Sequence, residues 1–242
     1  PNPKVSGKGL AILEKAGITT ANGLLEDDAQ ALNQGFIQLM TTGKPYIRCK
    51  VAASLDGKTA MANGESQWIT SPDARKNVQQ LRAQSCAIIT GADSVIFDNA
   101  KMNVRWEELG ELKESYLKST VRQPVRVIID SQNRLTPDLE LFTIESPILI
   151  FNQYIETKHQ WPCFVEHVNV SLNKTKLDLN AVVLELSKRG YNDIFIESGA
   201  RLAGAFIEQN LVDELILFQA PKLMGADAKS LLNMPTIESL SD

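Results

Sequence analysis

Cysteine and histidine are scarce in this chain, and the few present are scattered. Cys49, Cys86 and Cys163 stand far apart with no C-x-x-C pair, and His159 and His167 share no ligand spacing with any Cys, Asp or Glu. This argues against a metal site built within the chain and against a disulfide framework; buried free thiols in a cytoplasmic protein are the expectation. No apolar run approaches the roughly 18 residues of a membrane span, and the start does not read as a signal peptide. G-x-G-x-x-G, the Walker loop and the G-x-S-x-G elbow are all missing, which removes three common α/β chemistries at the level of motif. Neither sign of charge dominates, and a net charge of -4 argues against a nucleic-acid or membrane surface. No internal repeat or low-complexity tract is visible.

What is present is an ordinary globular balance, 43% hydrophobic and 22% charged over 242 residues, enough for one large domain or for one domain and a piece of another. Residues 1–43 read differently from the rest. A short helix is expected over Gly9 to Ala16, closed by Gly17. A second is expected from a cap at Asp27 or Asp28, with Ala29, Leu32, Phe36, Leu39 and Met40 on one face and Gly43 beyond its end. Two such helices bury no core of their own, so this segment is expected to be the trailing edge of a preceding domain. From Lys44 the pattern alternates. Strands are expected at Tyr46–Ala52, Cys86–Thr90, Val125–Asp130, Pro147–Phe151, Cys163–His167, Asp193–Glu197 and Val212–Gln219. Helices are expected at Ser71–Gln84, Leu177–Arg189 and Gly199–Asn210. Continuous apolar runs such as Val127-Ile128-Ile129 suit a parallel sheet buried on both faces in an α/β fold. The polar stretch Trp106 to Gln123 reads as a surface excursion.

Two places carry candidate chemistry. In PYIRCKVAASLDGKTAMANGESQWIT, Pro45 to Thr70, Lys50 interrupts an apolar strand, and a buried ammonium needs a partner or a ligand unless it points outward. In FIESGARLAGAFIEQN, Phe195 to Asn210, a strand ends at Glu197 and turns at Ser198-Gly199 straight into a helix whose start is lined with Gly199, Ala200, Ala203, Gly204 and Ala205. Small side chains there would let a phosphate approach the free amides, or would simply let the helix pack tightly on the sheet. Glu197 sits where open α/β sheets place ligand groups, unless it is a solvated strand end. Arg82 and Arg105 are candidate phosphate forks or surface charges. Asp98 ends a short apolar run, where it would serve as a helix or loop cap. Asp130-Ser131 closes another strand, at the same sheet edge as Glu197 if all strands run parallel. Residue patterns alone thus stop at an α/β protein with a phosphate or nucleotide pocket.

The segments KVAASLDGKTA, GESQWIT, LRAQSCAI, RQPVRVIIDSQNRL, IESGARLAGAFI and LVDELILFQAPKLMG, in this order and spacing, resemble the reductase domain of the bacterial bifunctional riboflavin-biosynthesis deaminase/reductases, from about Lys44 to Asp242. PNPKVSGKGLAILEKAGI resembles the end of the same family's deaminase domain, whose H-x-E and paired-cysteine signature does not occur here. The resemblance therefore implies two parts: residues 1–43 as deaminase remnant and linker, and 44–242 as a reductase domain without the family's closing strands. Zinc would be confined to the deaminase portion.

It further implies a dihydrofolate-reductase-like fold, a mostly parallel central sheet with helices on both faces. The implied activity is NADPH-dependent reduction of the ribosyl group of 5-amino-6-(5-phosphoribosylamino)uracil to the ribityl group. Carried over by motif, Ala52, Trp68, Ser94, Asp98, Ser131 and the run Gly199, Ala200, Arg201, Leu202, Ala203, Gly204, Ala205 would contact NADPH. Ser66, Arg82, Met102, Arg105 and Glu197 would contact the substrate, with Arg82 and Arg105 on its phosphate, and Lys50 and Glu197 would act at the ribose. Asn99 and Ala100 stand where the family commonly shows Asp-Pro, a departure that bears on the loop carrying Met102. A catalytically silent module supporting a deaminase, or a dihydrofolate reductase proper, are the other readings. The retained Lys50, Glu197 and arginines favour the reductase. A small-molecule partner is expected, with no nucleic acid and no membrane; a homo-oligomer is compatible with the sequence.

Overall fold

Strands buried on both faces set the architecture. The computed structural model describes residues 2, 4–154, 158–173, 175–236 and 238–239; the outermost residues of both expected parts, Pro1 and 240–242, lie outside the described residues. Three helices come first, α1 (Lys8–Lys15), α2 (Glu26–Leu32) and α3 (Gln34–Thr42), then β1 (Tyr46–Ser54), β2 (Lys58–Ala60) and α4 (Pro72–Gln84). Next come β3 (Ala87–Gly91), α5 (Ala92–Asp98), β4 (Val125–Ile129), β5 (Ile148–Asn152) and β6 (Val165–Asn169). A small hairpin, β7 (Leu172–Asn173) and β8 (Lys176–Leu177), leads into α6 (Leu179–Lys188), β9 (Asp193–Glu197), α7 (Ala200–Glu208), β10 (Glu214–Ala220) and β11 (Lys229–Ser230). Seven strands form one sheet in the order β10-β1-β9-β3-β4-β5-β6, every pairing parallel.

Alternate residues of each central strand feed two cores. Ile89, Val127, Leu149, Phe151 and Ile196 pack with Val182, Leu186, Ala203 and Phe206 of α6 and α7. Ile88, Ile128, Ile148, Ile150 and Phe195 pack with Val78, Ala92 and Val95 of α4 and α5. Helices thus cover both faces, and the continuous apolar runs have the physical reason expected of them. Helix starts follow local chemistry: Ser71 caps α4 by accepting from the Ala74 amide, with Pro72 at its first turn, and Asp178 caps α6.

Departures from the sequence expectation are local. The single helix expected to run up to Gly43 is two, broken at Asn33, whose backbone leaves the helical region (φ -125°, ψ 26°) while its side-chain amide donates to the Ala29 carbonyl at 2.8 Å. Such side-chain bonds compete with the helix ladder. The two pieces behave differently. α1 and α2 bury no side chain and leave Ile12 and Leu32 exposed, as is Leu24 between them. α3 is docked on the sheet: Gln38 Nε2 donates to the Pro45 carbonyl and to Asp213 Oδ1, both at 3.0 Å. A Cβ at Gly35 would come within 2.5 Å of the Asn192 carbonyl oxygen, so only glycine permits that approach. The polar stretch after Arg105 is a mostly exposed series of three short 3-10 turns, anchored through Leu109. α5, with Val95 buried, was not anticipated; its 7 residues are too few to show a helical period.

Candidate active site

All strands of the main sheet being parallel, their carboxyl ends share one edge, and the chain leaves β9 into α7 there, between β1 and β3. This is where α/β sheets open a crevice. Lys50 and Glu197 are register partners across β1 and β9. The Glu197 carboxylate accepts from Arg82 Nε at 2.8 Å, with both side chains largely buried. Arg82, on α4, also donates from Nη1 to the Asn103 carbonyl at 2.8 Å. Burial alone would raise the Glu197 pKa; the charges of Arg82 and Lys50, the Arg82 hydrogen bond and the charge of Arg105 outweigh it and hold the carboxyl at about 2. Glu197 is therefore an anion at neutral pH. Half-buried Lys50 makes no hydrogen bond or ion pair among the described residues, yet its charge is felt at Glu197. The lysine inside the apolar strand thus has a carboxylate beside it and an ammonium free to meet another group.

Ala52 follows two residues along β1, on the same side as Lys50. Ser66 is half-buried and Trp68 exposed, with the Arg75 guanidinium 4.5 Å above the Trp68 ring and Lys222 Nζ donating to the Trp68 carbonyl at 2.8 Å. Arg105 is anchored through its amide, which donates to Gln79 Oε1 at 2.9 Å, while its half-exposed guanidinium pairs with Glu108 at 2.8 Å. Such exposed pairs are weak and readily exchanged. The two arginines expected on a phosphate therefore differ: Arg82 is engaged with Glu197, and Arg105 is available.

Met102, expected to contact the substrate, lies on the loop after α5. Its side chain is buried, packed with Val95 and Leu141, so only its main chain is left to face a ligand. The loop reaches this geometry through two non-glycine residues in the left-handed region, Asn99 (φ 46°) and Met102 (φ 52°). A fully buried arginine holds the loop: Arg126 donates to the carbonyls of Lys101 (3.3 Å), Ile144 (2.7 Å), Ser146 (2.8 Å) and Leu141, and burial pushes its pKa down to about 10. Arg126 was missed because a charge in a central strand has no alternation signal marking it as buried.

On the other side of β9 lies a cavity of about 500 Å³, bounded by the ends of β3 and β4, the β7–β8 hairpin and the start of α7. Ser94, Ser131, Gly199, Ala200, Arg201, Leu202 and Ala205 line it. Ala203 and Gly204 do not: Ala203 lies in the core and Gly204 abuts the Asn233 backbone, so this part of the small-residue run serves packing. Asp98, Trp68 and Ala52 also lie outside this lining. The α7 start has no side-chain cap, and a Cβ on Gly199 would meet nothing within 4 Å. The fold does not require glycine there; the space before the free helix amides is open, as a bound phosphate group would need. Asp93, Gln132, Arg134 and Lys176 line the same cavity and were not picked from the sequence. Arg134 offered a signal, a cation four residues beyond the strand-ending Asp130.

Comparisons with known proteins agree with this fold. The family model described as the RibD C-terminal domain matches residues 45–241. The chain is 47% identical over 244 residues to the riboflavin biosynthesis protein RibD of Escherichia coli K12, covering all of this chain and 66% of that protein. Among solved structures, RibD of Acinetobacter baumannii aligns at TM-score 0.84 and 39% identity over the whole chain and 64% of its own. A Thermotoga maritima protein titled a diaminohydroxyphosphoribosylaminopyrimidine deaminase/5-amino-6-(5-phosphoribosylamino)uracil reductase aligns at TM-score 0.82 and 26% identity, over the whole chain and 62% of its own. The chain thus spans about two thirds of the length of the relatives it matches.

Proposed function

This chain belongs to the RibD C-terminal domain family, and from that premise we propose that it is an NADPH-dependent reductase of riboflavin biosynthesis. It would reduce the ribosyl group of 5-amino-6-(5-phosphoribosylamino)uracil to the ribityl group. One observation carries the reading: the Lys50–Glu197–Arg82 constellation stands one strand away from an uncapped helix start that opens on a cavity.

When bound, the reduced nicotinamide supplies the hydride that C1′ of the ring-opened ribosylamine accepts, one proton from the medium balancing the conversion of C=N to an amine. The amides at the α7 start would hold the cofactor's pyrophosphate. Lys50 places its ammonium beside the reacting carbon, where it stabilises the changing charge and carries a proton to the nitrogen. Glu197, kept ionised by Arg82, fixes Lys50 and accepts from the ribose hydroxyls. Arg105 exchanges Glu108 for the substrate's 5-phosphate, Ser66 adds a hydroxyl, and the Met102 main chain closes the ring of contacts. Positioning and charge do most of the work.

We assign the deaminase activity for which the Thermotoga relative is named, with any zinc it uses, to a portion outside these residues, residues 1–43 forming its tail and linker. Cys49 is buried in β1, Cys86 donates to Asn192 Oδ1 and Cys163 is exposed elsewhere. Among the described residues no group of three or more His, Cys, Asp or Glu is gathered as a metal site, and no helix is long and apolar enough to cross a membrane. We place the reaction in the cytoplasm. The test is NADPH oxidation in the presence of the phosphoribosylaminouracil, with the ribityl product identified by mass spectrometry.

A further inference from the structure

The loop after α5 is irregular backbone, and side chains hold three of its consecutive residues in turn. Arg82 Nη1 donates to the Asn103 carbonyl at 2.8 Å. The Val104 amide donates to Gln123 Oε1 at 2.8 Å, and Gln123 Nε2 donates to the Val104 carbonyl at 3.1 Å. The Arg105 amide donates to Gln79 Oε1 at 2.9 Å. Gln123 thus pairs with both polar groups of Val104 as a neighbouring strand would. Gln79 is 1% exposed, and a buried amide oxygen of this kind is costly to leave without a donor.

Gln79 and Arg82 stand three residues apart on α4, hence on one face of it. The same face reaches Glu197 through the Arg82 ion pair at 2.8 Å. The main chain of Arg105 is therefore fixed relative to the carboxylate, while its guanidinium meets only the weak pull of an exposed pair with Glu108. Recognition of a phosphate by a guanidinium fork depends on where the arginine stem begins, and a misplacement of about 1 Å can cost a hundredfold. A buried glutamine that fixes that starting point acts on the substrate without touching it.

We propose that Gln79, with Gln123 beside it, is a positioning residue for the substrate. It sets Arg105 at a fixed distance from the Lys50–Glu197 pair and so favours the 5-phosphorylated ribosyl compound over its dephosphorylated form. The inference rests on the reading of Arg105 as the phosphate ligand and deepens it.

Steady-state kinetics with 5-amino-6-(5-phosphoribosylamino)uracil and with 5-amino-6-ribosylaminouracil test the role. Gln79→Met keeps the length of the side chain and removes its acceptor. It should raise KM for the phosphorylated compound about five- to twentyfold, with kcat and the KM for NADPH within about twofold. Toward the dephosphorylated compound its kcat/KM should stay within about twofold of that of the unaltered protein, the same arithmetic applying to a contact that is never made. In an Arg105→Ala background Gln79→Met should add nothing further to KM, because the group it positions is gone. Gln123→Met should follow the same pattern with a smaller rise, and it carries the test if Gln79→Met does not fold. Equal losses for the two compounds, additive rises in the double variant, or an unchanged KM overturns the positioning role. A raised KM in Arg105→Ala with none in Gln79→Met or Gln123→Met overturns that role alone; an unchanged KM in Arg105→Ala overturns the phosphate reading with it.

Discussion

On the β1–β9 side of the cleft the charges are already spoken for: Arg82 holds Glu197 at 2.8 Å and a main-chain carbonyl besides, and Glu197 lies across from Lys50. On the β9–β4 side the same sheet edge offers uncapped amides, an open Gly199 and cations whose one acidic neighbour is a half-exposed Asp93. The first region is organised by the protein's own buried ion pair, which folding must complete; the second is left for a ligand to complete. Reaction geometry is thus fixed in advance where a hydride acceptor would sit, and affinity is kept in reserve where a phosphate-rich cofactor would bind. Breaking the Arg82–Glu197 pair on the first side should disturb turnover and stability together, and changes on the second should disturb binding alone.

The largest expected effect is on turnover. Lys50→Met should fold normally, since the site is half buried in an apolar strand, and lower kcat by about a hundred- to a thousandfold as judged against removal of other transition-state donors. Stopped-flow single turnovers would check it; a normal rate would return Lys50 to a solvated strand position. Glu197→Gln should cost about 3 kcal/mol or more in urea unfolding, because it leaves Arg82 buried without its carboxylate. An unchanged denaturation midpoint would mean that Arg82 finds another partner and that this side is not organised in advance.

Smaller effects should separate the two ligands. Arg105→Ala is expected to raise KM for the phosphoribosyl substrate by about ten- to a hundredfold with little change for NADPH, its Glu108 pair contributing little to stability. The reverse pattern would move Arg105 to the cofactor. Gly199→Val should weaken NADPH by at least about tenfold without loss of stability, since its side chain enters empty space.

The mildest test is acid. The Glu197 pKa is depressed from 4.5 to about 2, so its contribution to stability is fully present above about pH 4.5 and is lost as pH falls from there toward 2. Substitution to Gln should accordingly flatten the stability curve over that window, and Glu197 should contribute no limb to the rate profile near neutrality.

How much of this was readable beforehand depends on whether the signal was local. Buried parallel strands announce themselves as apolar runs, and the β9–α7 turn announces itself by Glu197 followed by small residues, so sheet, helices and crevice were legible. Lys50 was legible as an anomaly but not its partner, because register across β1 and β9 joins residues 147 positions apart in the chain. Arg126 and Arg134 look alike in sequence, each a cation near one strand; only the fold buries the first against four carbonyls and opens the second to a cavity. The small run from Gly199 to Ala205 read equally as a ligand surface or as tight packing, and only the fold shows the Asn233 backbone lying against Gly204.

The most direct test of the account is the absorbance of reduced nicotinamide when the purified protein is given NADPH with and without 5-amino-6-(5-phosphoribosylamino)uracil. The account predicts loss of NADPH only with the substrate present, in equal amount to the ribityl product, and its near abolition in Lys50→Met. Substrate-independent oxidation, or undiminished turnover in Lys50→Met, would contradict it.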